Sequence, residues 1–436
     1  MSRFAILLLA LSTTSAFAQQ SPQSSQPSEE NNTQSQNTLT SLAGQFFHGD
    51  FVNFYASGSG TYDANAAILG GQAGNGSAGF ALGGGVQAYH RFRTSILSLS
   101  YNLNYTDYQG GGYSSGISQY LSLLYSKQLS RRWNLGFVES AGMYRYGVGY
   151  YYGQPNAATP AVANPFSPVS KTASSAVSLS YRQSARLTYD FGADFFLSRY
   201  SYPGAIGTTG ISGSGSLIYK ITGRTTVGGT YSHSYFSYQR GVGQSVLDGG
   251  YFNLTHQFAD LWTATVSAGI TRSDSSGIIS VPVSVILNGQ EVTGYAVGPY
   301  KLDRITPSIQ GSVSHRYQRV VVTGSVGQVV SPGNGIYLAS RNRFFSGSAS
   351  YSRERSNISV SGGYFHLTSL ANSISTSYGT GNFGASYGYT LTRHLSANAR
   401  YDYFRYGNVY AFGGVSDNRL MFSLAFSSKS IPLTLY

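Results

Sequence analysis

Apolar and polar residues alternate along most of this chain, in runs separated by brief polar links. Across 177–195, Val177, Leu179 and Tyr181 alternate with Ser178, Ser180 and Arg182, and a link at Gln183 and Ser184 follows. Leu187, Tyr189, Phe191, Ala193 and Phe195 then alternate with Arg186, Thr188, Asp190, Gly192 and Asp194. A period of two marks extended strands with one apolar and one polar face. Aromatic-rich outer positions opposite ionisable inner ones suit strands that stand between lipid and a wet interior.

The same rhythm predicts about 18 strands, with 16 to 20 as the range. Their expected spans are 51–63, 79–91, 95–107, 117–129, 133–147, 175–183, 185–200, 210–221, 224–238, 245–258, 261–274, 304–317, 319–331, 342–353, 357–368, 378–391, 394–407 and 417–428. Links near 93–94, 130–132, 183–184, 222–223, 259–260, 318, 354–356 and 392–393 are tight. The alternate links, around 64–78, 108–116, 148–174, 201–209, 239–244, 275–303, 332–341, 369–377 and 408–416, are mostly longer and rich in Gly, Ser and Asn. Segregation of loop length by side is the asymmetry of a membrane barrel with periplasmic turns and external loops. The expected fold class is therefore all-β, an antiparallel up-and-down transmembrane barrel over 47–428.

The N-terminus agrees. Arg3 precedes an apolar run over 4–11, and Ala16, Phe17 and Ala18 have the small-x-small form of a cleavage site, so 1–18 reads as a signal peptide. It is too short for a membrane-spanning helix. Residues 19–46 form a Gln/Ser/Asn tract that cannot build a core, which predicts a disordered periplasmic leader. At the other end, 429–436 reads as a periplasmic tail or the end of the last strand.

Composition sharpens the picture. Only 10% of residues are charged, against about 25% in soluble domains. Glycine (54), tyrosine (37) and phenylalanine (24) are abundant, yet apolar residues reach only 41%. Lipid on one face and water on the other accommodate that balance, and the expected location is the outer membrane of a Gram-negative-type cell. With no cysteine there is neither disulfide nor thiol chemistry. The formal net charge of +12 comes mainly from arginine. These cations are scattered, many of them at tight turns, so nucleic acid is not an expected partner.

From these alternations and hairpins the chain resembles the bacterial outer-membrane β-barrel proteins of the porin-like kind, over about 45–436. The hairpin across 383–406, with Leu391, Thr392, Arg393 and His394 at its turn, carries the likeness best. The resemblance implies contact with outer-membrane lipid and lipopolysaccharide, insertion by the barrel-assembly machinery, and passage of small hydrophilic solutes. One feature departs from it: such barrels end on an aromatic residue after alternating apolar positions. Tyr436 is aromatic, but Pro432 interrupts the approach and the alternation of Leu420, Phe422, Leu424 and Phe426 stops earlier.

Parity assigns the faces. Leu97, Leu99, Tyr101, Leu103 and Tyr105 are expected on the lipid side, as are Trp262, Ala264, Val266, Ala268 and Ile270. Trp133, Trp262, Tyr235, Tyr351 and Tyr403 are expected in interfacial girdles. Ser98, Ser100, Asn102 and Asn104, with Ser346, Ser348, Ser350 and Ser352, are expected to face the lumen. The candidate lumen-lining ionisable residues are Arg186, Asp190, Asp194, Arg400 and Asp402, placed either to set solute preference or to pair with one another. Glu139 falls on the lipid face if the register from Trp133 is unbroken, and a bulge that turns it inward is the expectation.

Two loops invite attention. Residues 148–174 carry three consecutive tyrosines and four prolines. Within 275–303, Asn288 and Gly289 separate two alternating runs, a strong hairpin signal. That hairpin either stands above the rim or folds into the lumen, or adds two strands to the barrel.

Little else suggests chemistry. The G-x-G-x-x-G match over 74–79 lacks a strand–helix unit, and the G-x-S-x-G match over 112–116 lies in a glycine loop. Seven dispersed histidines suggest no metal site, and no cofactor is expected. His366 with Asp63 or Asp107 is the nearest approach to a hydrolase site, on strands not expected to be neighbours, so no enzyme activity is expected. The sequence favours a porin-like channel for passive diffusion, with a mild anion preference from the basic surplus. The alternative is a non-conducting barrel serving envelope assembly, polysaccharide export or adhesion, tethered through 19–46.

Overall fold

Eighteen strands follow one another in chain order in the computed structural model. It describes residues 51–64, 76–109, 115–145, 169–201, 206–259, 261–287, 290–332, 339–370, 377–407, 415–428 and 431–432. The expected signal peptide, leader and most of the 148–174 loop lie outside them. The strands are β1 (Phe51–Asp63), β2 (Ser77–Arg91), β3 (Ser95–Gln109), β4 (Gly116–Gln128), β5 (Trp133–Arg145) and β6 (Val169–Arg182). Next come β7 (Leu187–Tyr200), β8 (Thr208–Lys220), β9 (Thr225–Tyr238), β10 (Gly243–Ala259), β11 (Trp262–Leu287) and β12 (Gln290–Tyr317). The set ends with β13 (Val320–Pro332), β14 (Ala339–Ser352), β15 (Ser356–Ser369), β16 (Ser377–Thr390), β17 (Leu395–Tyr406) and β18 (Val415–Ser427). Each pairs antiparallel with its chain neighbours, and β1 pairs with β18, so the sheet closes on itself. A short β19 (Ile431–Pro432) extends the seam against Phe51 and Val52. Closure gives each wall strand two hydrogen-bonding neighbours, as a lipid environment demands.

The period of two sets the faces. Phe80 and Leu82 on β2, Val266 and Ile270 on β11, and Leu420, Phe422 and Leu424 on β18 all point outward, exposed. Ladder partners share a face: Tyr62 pairs with Leu420, and Leu82 with Tyr105. Residues between them, such as Asn53, Ser77, Ser245, Ser273 and Asn342, point inward and are buried.

Four of the tight turns share a device. At the link before β5, the amides of Arg132 and Trp133 both donate to Ser130 Oγ at 3.2 Å. Ser184 receives Arg186 and Leu187 in the same way, Thr222 receives Arg224 and Thr225, and Thr392 receives His394 and Leu395, all within 3.0–3.2 Å. A Ser or Thr, any residue, then Arg or His before the strand is thus a repeated turn: its hydroxyl satisfies amides that no ladder reaches.

Two strand boundaries differ from expectation. β6 begins at Val169, inside the segment read as a loop. β11 and β12 run on through 275–303 as one continuous ribbon, paired from Trp262↔His315 to Leu287↔Gln290. Above Gly277 the ribbon leaves β10, and above Ile309 it leaves β13. Pro307 explains the second departure. Its carbonyl points at β13, where Gln328 Nε2 donates to it at 3.0 Å, so its missing N–H removes a rung on that side.

Candidate functional site: the barrel interior

Hydroxyl pairs tile the inner wall. Ser140 pairs with Ser174, Ser245 with Ser275, Ser325 with Ser346, and Ser359 with Ser386, each at 2.7 Å across neighbouring strands. Thr323 with Ser348 at 2.7 Å and Ser216 with Thr230 at 2.9 Å continue the pattern. These short side chains satisfy one another across the ladders.

The long-loop end differs. Phe196, Phe236, Tyr238, Leu247, Leu302, Val330 and Leu370 form one buried apolar cluster, with Ile206, Val242 and Tyr300 packed against it. Phe196 and Phe236 meet across β8 at 5.5 Å because Gly210 lies between them. A Cβ there would fall 2.2 Å from the Phe196 ring. Leu302 belongs to the β11–β12 ribbon, so the ribbon's base is anchored to this cluster.

At the opposite mouth the charge is one-sided. Exposed Arg91, Arg93, Lys127, Arg131, Arg132, Arg182, Arg186, Lys220, Arg224, Arg316, Arg319, Arg353, Arg355 and Arg393 lie at or beside the tight turns. Among the described residues at these turns only Glu354 opposes them. Arg91, Arg182, Lys220 and Arg316 end the inward sets of their strands. At the same level the outward sets hold Trp133 stacked on Tyr181 at 4.5 Å and Trp262 stacked on His315 at 4.1 Å. Aromatic rings therefore meet the lipid boundary while cations ring the opening.

The five candidate residues fall into three settings. Arg186 is exposed in the turn before β7, its carbonyl accepting from the Lys220 amide at 2.8 Å. Asp190 and Asp194 lie on the inward face of β7. Ser212 Oγ donates to Asp194 Oδ1 at 2.5 Å, and Asp190 stands between Ser180 and Ser216 in the ladders. Asp190 Oδ1 and Asp194 Oδ2 are buried with no hydrogen-bond donor among the described residues. Arg400 and Asp402 bind each other, Nε to Oδ2 at 2.5 Å, at 13% and 6% side-chain exposure. Beside them Arg419 lies in register between Asp402 and Asp63. It reaches Asp63 Oδ2 at 3.1 Å, with the two side chains 6% and 0% exposed. Sequence reasoning missed this seam pair, although parity along β18 would have placed Arg419 inward beside Asp417.

Glu139 corrects an expectation. The β4–β5 and β5–β6 ladders run unbroken past it, opposite Leu123 and Ser175. There is no bulge, and the carboxyl stays on the outer face. The other weak motifs gain nothing. Residues 74–75 and 112–114 lie outside the described residues, and 77–79 belong to β2, with no helix after them. His366 on β15 is not brought near Asp63 on β1 or Asp107 on β3, and no three metal-ligating side chains cluster among the described residues.

A closed 18-strand barrel with an apolar outer band, an aromatic girdle and a hydroxyl-lined interior defines a β-barrel of the membrane-spanning class. No family model matches the chain, and no curated protein matches it. Among solved structures it is similar to OccK2 (OpdF) of Pseudomonas aeruginosa, at 13% identity and a TM-score of 0.48, over 87% of this chain and 98% of that one. A BenF-like porin from Pseudomonas fluorescens Pf-5 is similar at 10% identity and 0.48, over 88% and 99%. The FrpB iron transporter of Neisseria meningitidis is similar at 7% and 0.46, over 89% and 82%. At these values the likeness decides neither fold nor function, which rest on the barrel's own geometry.

Proposed function

We propose that this protein is a channel of the outer membrane through which small hydrophilic solutes diffuse passively, with a mild preference for anions. One observation carries the reading: 18 strands enclose a wall of small hydroxyl residues, and barrels of this strand number leave room for water. The cationic ring at the tight-turn mouth supports the anion preference, because charge of one sign around an opening enriches the counter-ion there.

The decisive measurement is single-channel conductance of the refolded barrel in a planar bilayer, with the reversal potential under a salt gradient. Large stable steps with a potential of anionic sign are expected. Silence from a barrel shown to be folded by heat-modifiable gel mobility would sink the open channel. The apolar cluster at the long-loop end favours one second reading, a barrel held shut and used as a scaffold. Deleting 19–46 separates the two, since diffusion through the barrel needs no leader whereas docking by that segment does.

A further inference from the structure

The ladder between β12 and β13 stops at Ile309↔Gln328, although both strands go on. Residues 305–308 and 329–332 therefore lie across from one another without rungs, while β13 stays paired with β14 as far as Pro332↔Ala339. Side chains take over at the foot of the break. Arg343 Nε donates to Gln328 Oε1 at 2.8 Å, and Gln328 Nε2 donates to the Pro307 carbonyl at 3.0 Å. Three guanidinium groups border this break. Arg341 and Arg343 belong to the outward set of β14 with exposed Phe345, and Arg304 to the inward set of β12, opposite buried Ser273. None of them has a carboxylate partner among the described residues. The charges that bear on Arg341 are those of Arg343 and Arg304, both of its own sign. Arg341 Nε is nonetheless buried and meets no acceptor. On the inner side, Asn342 is 0% exposed, and neither its Oδ1 nor its Nδ2 has a partner among the described residues. Thr306 Oγ1, beside Pro307, is buried in the same condition.

A buried donor without an acceptor is costly, more so when it is charged, and like charges held together by a rigid wall add to that cost. An anion seated at the break relieves both. A carboxylate, with one charge and two oxygens, fills one guanidinium fork. A phosphate group brings up to two charges and three free oxygens, enough to engage several forks at once. We propose that the break between β12 and β13 is a binding site for a phosphate group, held by Arg341 and Arg304 with Arg343 at its outer rim. The unpartnered Asn342 and Thr306 carry the site on towards the lumen. Arg341 is ten residues from Tyr351 along β14. At ~3.3 Å per residue and a tilt of about 40°, that is about 25 Å, the full height of the apolar band. The site thus meets the level where outer-leaflet headgroups begin on one side and the lumen on the other. A lipid headgroup and a free phosphate present the same chemistry to it. The inference does not depend on whether the lumen conducts.

Two assays on the full chain test the site and separate its sources. Equilibrium dialysis of the refolded barrel in detergent against radiolabelled inorganic phosphate, at constant ionic strength, reads the free anion. A phosphorus assay of barrels washed after extraction from membranes reads retained lipid. If the phosphate is a solute, saturable binding of a single phosphate per chain is expected, weakened roughly tenfold or more by Arg304→Gln and by Arg341→Gln. If it is a lipid headgroup, the native barrel is expected to retain lipid phosphorus that both variants lose. Arg405→Gln, which removes an exposed cation at the same end of β17, should change neither result. Heat-modifiable gel mobility checks that each variant is folded. Should Arg341→Gln fail that check, Arg304→Gln decides alone, because its side chain is exposed. Absence of bound phosphorus in both assays, binding indifferent to the two substitutions, or an equal loss with Arg405→Gln would each overturn the inference. A barrel that binds phosphate at this break yet stays silent in bilayers would remove the channel and leave the site standing.

Discussion

Arg419 is the residue on which the wall charge network turns. It is nearly buried, bonded to Asp63 and in register with Asp402, which is itself held by Arg400. Removing one member of a buried pair leaves the other charge without compensation, at a cost of about 3–5 kcal/mol. Arg419→Leu should therefore lower the denaturation midpoint in a urea titration sharply, and a combined Asp63→Leu and Arg419→Met exchange should recover part of the loss. A milder effect is expected in the turns. Thr392→Ala removes the acceptor for two backbone amides and should cost about 1 kcal/mol in the same titration. Individual side chains were unevenly legible. Parity placed Asp190, Asp194, Arg400 and Asp402 on the inward set, but the partner of Asp63 lies 356 residues away, and nothing in a single sequence announces such a pairing. Glu139 was misread for a different reason: the cost of a carboxyl in lipid argued for a bulge, yet the ladder is regular and the cost is left on the surface.

At the scale of elements, alternation fixed nearly every strand to within a few residues, because a half-buried strand must alternate wherever lipid and water lie on its two faces. Legibility failed where that condition lapses. The start of β6 is a run of Ser, Ala, Lys and Thr with no apolar face to read. The upper ribbon of β11 and β12 leaves both neighbours, so no lipid face imposes a readable alternation on it. That ribbon is tied down at Leu302, and the tie is testable. Phe236→Ser with Leu302→Ser should loosen the apolar cluster and raise single-channel conductance or its noise, while unchanged traces would show that the cluster does not narrow the path. Gly210→Ala forces a methyl between two packed rings and should cost about 1–3 kcal/mol in a thermal or denaturant melt.

For the molecule as a whole, the charges are sorted along the barrel axis. The cations in excess gather at the tight-turn mouth, whereas most acids lie in the middle or towards the long loops. Replacing Arg182, Arg186 and Lys220 by glutamate should shift the reversal potential toward cation preference without abolishing conductance. The shift should fade in 1 M salt, where the screening length is about 3 Å. A reversal potential indifferent to all three substitutions would place selectivity elsewhere in the lumen.

The seam between β1 and β18 has a temporal consequence as well. The two strands that must meet are separated by nearly the whole described sequence, so closure cannot begin until almost all of the wall exists. Until then two long edges carry open rows of amides and carbonyls, ready to template on other chains. Contacts of such separation form slowly because their loop entropy is lost before any bond rewards it. Substitutions at Asp63 or Arg419 should therefore slow maturation, followed as the appearance of the heat-modifiable folded band, even where the finished barrel survives them.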